Sequence, residues 1–101
     1  MTRKDKFNDV VLKHREYLKN LGVSTIGIFG SVVRSEDTDQ SDYDILVEFQ
    51  NDRKSFRAFA SLCDFFDDNL GSNYEIIPKE SLSPYIGPRI LQEVEYVKIG
   101  D

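Results

Sequence analysis

Helix-like and strand-like hydrophobic patterns alternate along the 101 residues of the chain. Apolar side chains recur at spacings of three and four over residues 7–21 and 56–70, which predicts two amphipathic helices. β-Branched and aromatic residues are concentrated in three short runs, 24–29, 43–49 and 74–77, which predict three strands. Because helices and strands alternate, we expect an α/β fold in which helices cover one small mixed sheet.

Turn and capping residues mark the ends of these elements. Gly22 and Gly71 follow the two helical stretches, and each is a candidate helix stop. Ser83-Pro84 predicts the start of a further helix, and residues 96–99 are compatible with a last short strand. The predicted buried side of that further helix consists of Ile86, Ile90, Leu91 and Val94. The predicted buried stripe of the helix over 56–70 consists of Phe56, Phe59, Leu62, Cys63, Phe66 and Leu70.

Length, charge and cysteine content limit the classes of function. The chain has the length of one domain, so we expect a single domain over residues 1–101. Its net charge is −5 and its basic residues are not clustered, so no direct nucleic-acid binding is expected. Cys63 is the only cysteine, no signal peptide is evident, and no apolar run approaches the roughly 20 residues that span a bilayer. We therefore expect a cytoplasmic protein that does not enter a membrane.

Two aspartates open the strand predicted over residues 43–49. Side chains two positions apart in a strand point to the same face, so Asp42 and Asp44 would lie side by side. Two adjacent carboxylates repel each other unless a cation lies between them. The pattern is compatible with a site for a hard cation such as Mg²⁺, but an acidic pair at a loop–strand junction is more often a solvated turn.

A Gly-Ser pair directly follows the strand predicted over residues 24–29. Gly30 allows a sharp turn and a close approach of the backbone to a ligand. If residues 31–35 begin a short helix, Ser31 and the free N–H groups there would face an anion, and Arg34 could contact phosphate oxygens. Most Gly-Ser pairs are simple turns, and most arginines are solvated, so neither signal is specific alone.

The combination of these motifs resembles a known family. Residues 29–34, Phe-Gly-Ser-Val-Val-Arg, are followed by residues 41–49, Ser-Asp-Tyr-Asp-Ile-Leu-Val-Glu-Phe. Their order and spacing are similar to those of the minimal nucleotidyltransferases of the DNA polymerase β superfamily. The resemblance extends over nearly the whole chain, including the closing segment Glu93-Val94-Glu95-Tyr96-Val97. It implies a polymerase-β-like nucleotidyltransferase fold.

The resemblance also implies a set of metal-binding carboxylates. Asp42 and Asp44 would hold two Mg²⁺ ions, and Glu75 would help to bind one of them and activate the attacking oxygen. Close relatives more commonly have aspartate at the position of Glu75, and glutamate is one methylene longer.

Phosphate binding is implied for the turn that follows the first strand. Gly30, Ser31 and Arg34 would hold the β- and γ-phosphates of ATP or another nucleoside triphosphate. Relatives often have glycine where this chain has Ser35, which could alter the turn.

Three functions remain open at this point. Small members of the family are often paired with an all-helical HEPN toxin, so the resemblance implies an antitoxin that transfers AMP from ATP to a hydroxyl, typically a tyrosine, of that partner. The alternative is a weakly active or inactive module of the same fold that neutralises a partner by binding it. A transferase acting on a small molecule is a third option.

Several other polar or aromatic residues are interpreted as structural. His14 lies on the apolar stripe of the first helix, and Tyr43 points away from the two aspartates, so both are expected to pack in the protein. Cys63 is expected in the core. Asp64, Asp67 and Asp68 are expected to form a solvated helix face.

Overall fold

The computed structural model of the chain describes residues 1–38, 40–50, 53, 55–71 and 73–99. The elements in chain order are α1 (Arg3–Lys13), α2 (Arg15–Asn20), β1 (Val23–Phe29), β2 (Tyr43–Phe49), α3 (Phe56–Leu70), β3 (Tyr74–Pro78), a 3₁₀ turn (Lys79–Ser81), α4 (Gly87–Glu93) and β4 (Glu95–Val97). The α/β arrangement predicted from the sequence is confirmed. None of the helices in these ranges is long and apolar enough to cross a membrane.

The four strands form one mixed sheet in the order β3-β2-β1-β4. Strand β1 is antiparallel to both β2 and β4, whereas β2 and β3 are parallel. The two central strands, β1 and β2, are the most buried, which agrees with their dense β-branched sequences.

One face of the sheet carries most of the hydrophobic core. Helices α1, α2 and α3 pack on this face, and their side chains join the inward positions of β1 and β2 in one buried cluster. Its fully buried members include Phe7, Val11, Leu18, Ile26, Ile28, Ile45, Val47, Leu62 and Phe66. Because side chains alternate along a strand, the intervening positions of β2 point to the opposite face. That opposite face is where the polar residues of β2 and β3 lie.

The first helical stretch consists of two helices instead of the single one predicted. The helix ends at His14, where φ is −120°, and the chain then continues as α2. The His14 ring is half-buried, lies 2.8 Å from the Val10 carbonyl oxygen through Nδ1, and meets the Phe65 ring edge-on. The expectation that His14 packs in the protein is confirmed. Hydrophobic spacing continues across the break, so periodicity alone does not reveal it.

Helix α4 begins later than predicted. Residues 84–86 form turns, in which the Ser83 hydroxyl accepts hydrogen bonds from the backbone N–H groups of Tyr85 and Ile86. The helix starts at Gly87, and Pro88 lies in its first turn, where a missing N–H costs nothing. The predicted buried side was wrong for two residues, because Ile86 is 58% exposed and Leu91 is 43% exposed.

The predicted stripe of α3 needs two corrections. Phe56 is 89% exposed, because it is the first helical residue after the Ser55 N-cap and extends beyond the core. Phe65, which was not assigned to the stripe, is buried. Cys63 is half-buried, and burial raises the pKa of its thiol. Asp67 is exposed as predicted, and it also accepts a hydrogen bond from a tyrosine of β3.

Candidate active site

The pairing of β2 with β3 brings two of the predicted site carboxylates together. Asp44 lies opposite Glu75 in the parallel register, so both side chains are on the same face of the sheet. Asp42 directly precedes β2 and is exposed, while Asp44 is half-buried. Tyr43, between the two aspartates, is buried in the core on the other face, as predicted. Asp44 and Glu75 therefore lie side by side on the face of the sheet away from the core, and Asp42 lies close enough to Asp44 for its charge to act on it.

Partial burial and the neighbouring carboxylates change the pKa of Asp44. Burial raises the pKa of Asp44, and the charges of Glu75 and Asp42 raise it further, while Arg34 partly opposes the change. A raised pKa means that the folded protein disfavours the charged form of this carboxylate. A bound cation would relieve this unfavourable charge.

Position 30 requires glycine, because the backbone there lies close to the Asp44 side chain. Phe29, the last residue of β1, pairs with Asp44 across the sheet, and the chain then turns at Gly30 with φ of +80°. A Cβ at this position would lie 2.1 Å from Asp44 Oδ2, which is far inside van der Waals contact. Because glycine has no Cβ, the Asp44 carboxylate can lie directly against this turn.

Residues 31–35 form consecutive turns, and the short helix considered from the sequence is not formed as a regular element. Arg34 N donates to the Gly30 carbonyl at 3.2 Å, and Glu36 N donates to the Ser31 carbonyl at 2.9 Å. Ser35 ends this segment with φ of +59°. Ser31 is half-buried at the start of the turn, and Arg34 is exposed at its end. Anion contacts here would come from individual groups instead of a helix dipole.

Glu93, at the end of α4, contacts two of the groups assigned to phosphate binding. Its Oε2 accepts a hydrogen bond from the Gly30 N–H at 2.8 Å, and its Oε1 lies 2.5 Å from Arg34 Nη1. Burial acts to raise the pKa of Glu93, but the hydrogen bonds from Arg34 and Gly30 outweigh it and hold the pKa below its usual value. The backbone N–H of Gly30 is thus engaged within the protein.

Arg34 has a second acidic partner. Its Nε donates to Glu36 Oε1 at 2.7 Å, and the bonds to Glu36 and Glu93 raise the pKa of the guanidinium. No role for either glutamate was predicted from the sequence. Glu93 lies 59 residues from Arg34 along the chain, so no local spacing signals the contact.

Arg3 of α1 binds the segment that leads into β2, a contact that was not predicted from the sequence. Its Nη1 donates to the Thr38 carbonyl at 3.0 Å and lies 3.5 Å from the Asp37 carboxylate. Its Nη2 donates to the Ser41 carbonyl, and the guanidinium carbon lies 4.5 Å from the centre of the Tyr43 ring. Helix α1 therefore restrains the residues directly before the Asp-x-Asp motif.

A surface cleft of about 440 Å³ lies between the turn after β1 and helix α4. It is lined by Phe29, Gly30, Arg34, Ile86, Arg89, Ile90 and Glu93. The charge of Arg34 is balanced by Glu36 and Glu93, whereas the exposed Arg89 places positive charge beside the apolar walls of the cleft. Such a combination suits a ligand with an apolar part and an anionic part.

Asp42, Asp44 and Glu75 suit a metal ion that is also coordinated by water and substrate phosphates. Within the described ranges, no three His, Cys, Asp or Glu side chains are grouped closely enough to hold a metal ion by themselves. Mg²⁺ commonly uses only one or two protein carboxylates and completes its octahedral shell with water and substrate phosphates. Asp44, with Asp42 and Glu75 nearby, has the chemistry for this mode of binding.

Comparison with known families decides the assignment. The family model described as a nucleotidyltransferase domain matches residues 11–97, which include all six candidate site residues. This chain belongs to the nucleotidyltransferase domain family. The resemblance inferred from the Gly-Ser and Asp-x-Asp motifs is confirmed, and the chain is a nucleotidyltransferase.

Two curated relatives are protein adenylyltransferases by name. The protein adenylyltransferase MntA of Thermococcus cleftensis is 35% identical over 94 residues, covering 92% of this chain and 94% of the relative. A candidate protein adenylyltransferase of Methanocaldococcus jannaschii is 35% identical over 95 residues, covering 91% of this chain and 95% of the relative. The chain thus spans nearly the whole length of these enzymes.

Solved structures share the fold. A candidate minimal nucleotidyltransferase superposes with a TM-score of 0.70 at 27% identity, covering 87% of this chain and 93% of that one. A toxin–antitoxin complex with AMP-PNP gives 0.64 at 18% identity, with 93% and 71% covered. A complex of a tri-AMPylated Shewanella oneidensis HEPN toxin with an MNT antitoxin gives 0.52 at 18% identity, with 84% and 69% covered.

Proposed function

We propose that this nucleotidyltransferase transfers AMP from ATP, with Mg²⁺, to a tyrosine hydroxyl of a HEPN-type toxin and so acts as its antitoxin in the cytoplasm. The observation that carries the proposal is the register of β2 and β3, which puts Asp44 beside Glu75 next to the Gly30 turn. The protein substrate is supported by relatives named as protein adenylyltransferases and by a structural neighbour bound to an AMPylated HEPN toxin.

The three carboxylates and two residues of the turn after β1 have defined tasks in this reaction. Asp42, Asp44 and Glu75 would hold divalent ions, which would supply stabilisation of the attacking and leaving oxygens. Ser31 and Arg34 orient the β- and γ-phosphates through a hydroxyl and a charged donor.

The transfer step itself is an in-line displacement. The tyrosine oxygen forms a bond to the α-phosphorus while the bond from that phosphorus to the bridging oxygen of the β-phosphate breaks. Glu75 accepts the proton of the attacking hydroxyl, and pyrophosphate leaves. The protein contributes mainly by holding the reacting oxygen and phosphorus in line and by balancing charge.

Calorimetric titration with ATP, in the presence and absence of Mg²⁺, tests the nucleotide site. We expect binding that requires Mg²⁺ and is abolished in Asp44→Asn, because this variant removes the most buried of the three candidate ligands. The matched control is Asp64→Asn, which removes one negative charge from the exposed side of α3. Equal loss of binding in both variants would mean that net charge, and not a ligand, is responsible.

Label transfer from radiolabelled ATP to a purified HEPN partner tests the reaction and its acceptor. We expect one protein band to be labelled by the wild-type chain and by Asp64→Asn, and not by Asp44→Asn. Replacing the labelled tyrosine of the partner with phenylalanine should remove the label. If Asp42→Asn/Asp44→Asn protects cells from the partner as well as the wild type does, neutralisation occurs by binding alone and the proposed antitoxin mechanism is wrong.

A further inference from the structure

Arg34 is held by two glutamates whose environments differ. The side chain of Glu36 is 64% exposed, whereas that of Glu93 is 23% exposed. Glu36 lies two residues from Arg34 in the same turn, and Glu93 reaches it from the end of α4. Exposed ion pairs contribute little free energy and exchange readily with solvent, so the pair with Glu36 is the weaker one.

Glu93 also accepts a hydrogen bond from the backbone of the turn, in addition to its contact with Arg34. One oxygen of Glu93 binds the Gly30 N–H while the other faces Arg34, so the carboxylate connects the start and the end of the turn. Releasing Glu93 would leave the buried Gly30 without this hydrogen-bond acceptor, which costs more than releasing an exposed group. The contacts of Glu93 are therefore the ones expected to persist when a ligand binds.

The charge around Arg34 is unfavourable for a triphosphate as long as both glutamates remain bound. A guanidinium has five N–H donors, of which Nε serves Glu36 and one Nη1 donor serves Glu93. Two carboxylates more than neutralise its single positive charge. A phosphate group that approaches Arg34 must therefore replace one of them to gain a full charge-assisted contact.

We propose that Glu93 is a positioning residue that holds Arg34 toward the triphosphate, whereas Glu36 is a temporary partner that the triphosphate displaces. This inference rests on the proposed nucleotide-binding function and specifies how its phosphate site is formed. Because Glu93 also binds Gly30, it couples the direction of Arg34 to the turn beside Asp44.

The test compares Glu36→Gln with Glu93→Gln in calorimetric titrations with Mg²⁺-ATP. Each variant removes one negative charge next to Arg34, so a general electrostatic effect would tighten binding in both. We expect Glu36→Gln to tighten binding about twofold to fivefold, the scale of an exposed ion pair. We expect Glu93→Gln to weaken binding by about tenfold, the scale of one lost charge-assisted hydrogen bond.

A double-mutant cycle locates these effects at Arg34. In an Arg34→Gln background, both changes should lose most of their effect, because the group that they position or occupy is absent. Effects that persist at full size in this background would overturn the proposal. If the wild-type protein binds Mg²⁺-ATP and Glu93→Gln binds it equally or more tightly, the inference about Glu93 is wrong while the proposed function stands. Wild-type protein that does not bind Mg²⁺-ATP would overturn the proposed function and this inference with it.

A measurement on the wild-type chain covers the case in which Glu93→Gln does not fold. In NMR spectra, the side-chain Nε–H signal of Arg34 should shift when Mg²⁺-ATP is added, because Nε loses its contact with Glu36. An unchanged Nε–H signal at saturating Mg²⁺-ATP would show that Glu36 stays in place and would overturn the proposal.

Discussion

Two residues of the turn after β1 have positive φ angles, and only one of them is glycine. Gly30 has φ of +80°, and its missing Cβ leaves space for Asp44. Ser35 has φ of +59°, in the left-handed region where a Cβ is disfavoured. The family resemblance places a glycine at the Ser35 position in many relatives. The departure noted in the sequence therefore falls at a strained backbone position.

Ser35→Gly should stabilise the protein. Removing the Cβ relieves strain at Ser35, partly offset by the greater freedom of glycine in the unfolded chain, so the gain should be roughly 0.5–1 kcal/mol. Denaturant unfolding measures the change as a shift in midpoint at constant slope. The control is Ser61→Gly inside α3, which should lower stability by roughly 0.5 kcal/mol because glycine is a poor helix former. A loss of stability in Ser35→Gly would contradict the strain assigned to this turn.

At the scale of elements, the contact between α1 and the loop before β2 holds residues that directly precede the first aspartate of the motif. Loop residues lose conformational freedom when they are fixed, and Arg3 offsets part of this cost with hydrogen bonds to two loop carbonyls. Helix α1 is itself fixed at its start, where the Thr2 hydroxyl accepts from the Asp5 N–H and the Asp5 carboxylate accepts from the Thr2 N–H. The helix therefore acts as a rigid support for the loop.

Arg3→Met should loosen this loop while keeping an apolar chain of similar length. We expect faster amide hydrogen exchange at Thr38, Gln40 and Ser41 and a severalfold weaker affinity for Mg²⁺-ATP, because charged hydrogen bonds worth about 1.5–3 kcal/mol are lost. Lys6→Met is the matched control, since Lys6 is an exposed cation on the same helix. Unchanged exchange in Arg3→Met would show that the loop is ordered by other contacts.

At the scale of the whole molecule, the two faces of the sheet have opposite energetic roles. The face under α1 and α3 buries the apolar cluster that stabilises the fold. The other face brings Asp44 close to two further carboxylates, and burial together with their charges raises the pKa of Asp44 above its ordinary value of 3.8. Since the folded-state pKa lies above the unfolded one, stability decreases as pH rises through that interval, and the cost is fully present above the folded-state pKa.

Asp44→Asn should therefore be more stable than the wild type when metal ions are removed. In EDTA at neutral pH, we expect its Tm to be higher by on the order of 2–5 °C, since it lacks the half-buried charge. Addition of Mg²⁺ with ATP should raise the Tm of the wild type, because a ligand that binds only the folded state stabilises it, and should leave the variant unchanged. Scanning calorimetry measures both. A variant less stable than the wild type in EDTA would mean that Asp44 has a structural role.

Local patterns in the sequence were sufficient to predict the strands, the α/β class and the family. They also predicted that an Asp-x-Asp motif acts together with a Gly-Ser turn. These features depend on neighbouring residues, such as the alternation in β2 that separates Asp44 from Tyr43. The break at His14 and the start of α4 at Gly87 were mispredicted, because tertiary packing sets these boundaries while the hydrophobic spacing stays the same on both sides.

Contacts between distant segments were decided by the tertiary structure alone. Glu93 meets Gly30 and Arg34 across about 60 residues of chain, and Arg3 meets the loop before β2 across more than 30. A charged residue on a helix surface has the same sequence signal whether it is solvated or bound to a partner from another segment. Only the tertiary fold, which brings Glu93 of α4 to the turn after β1 and Arg3 of α1 to the loop before β2, determines which charges reach the site.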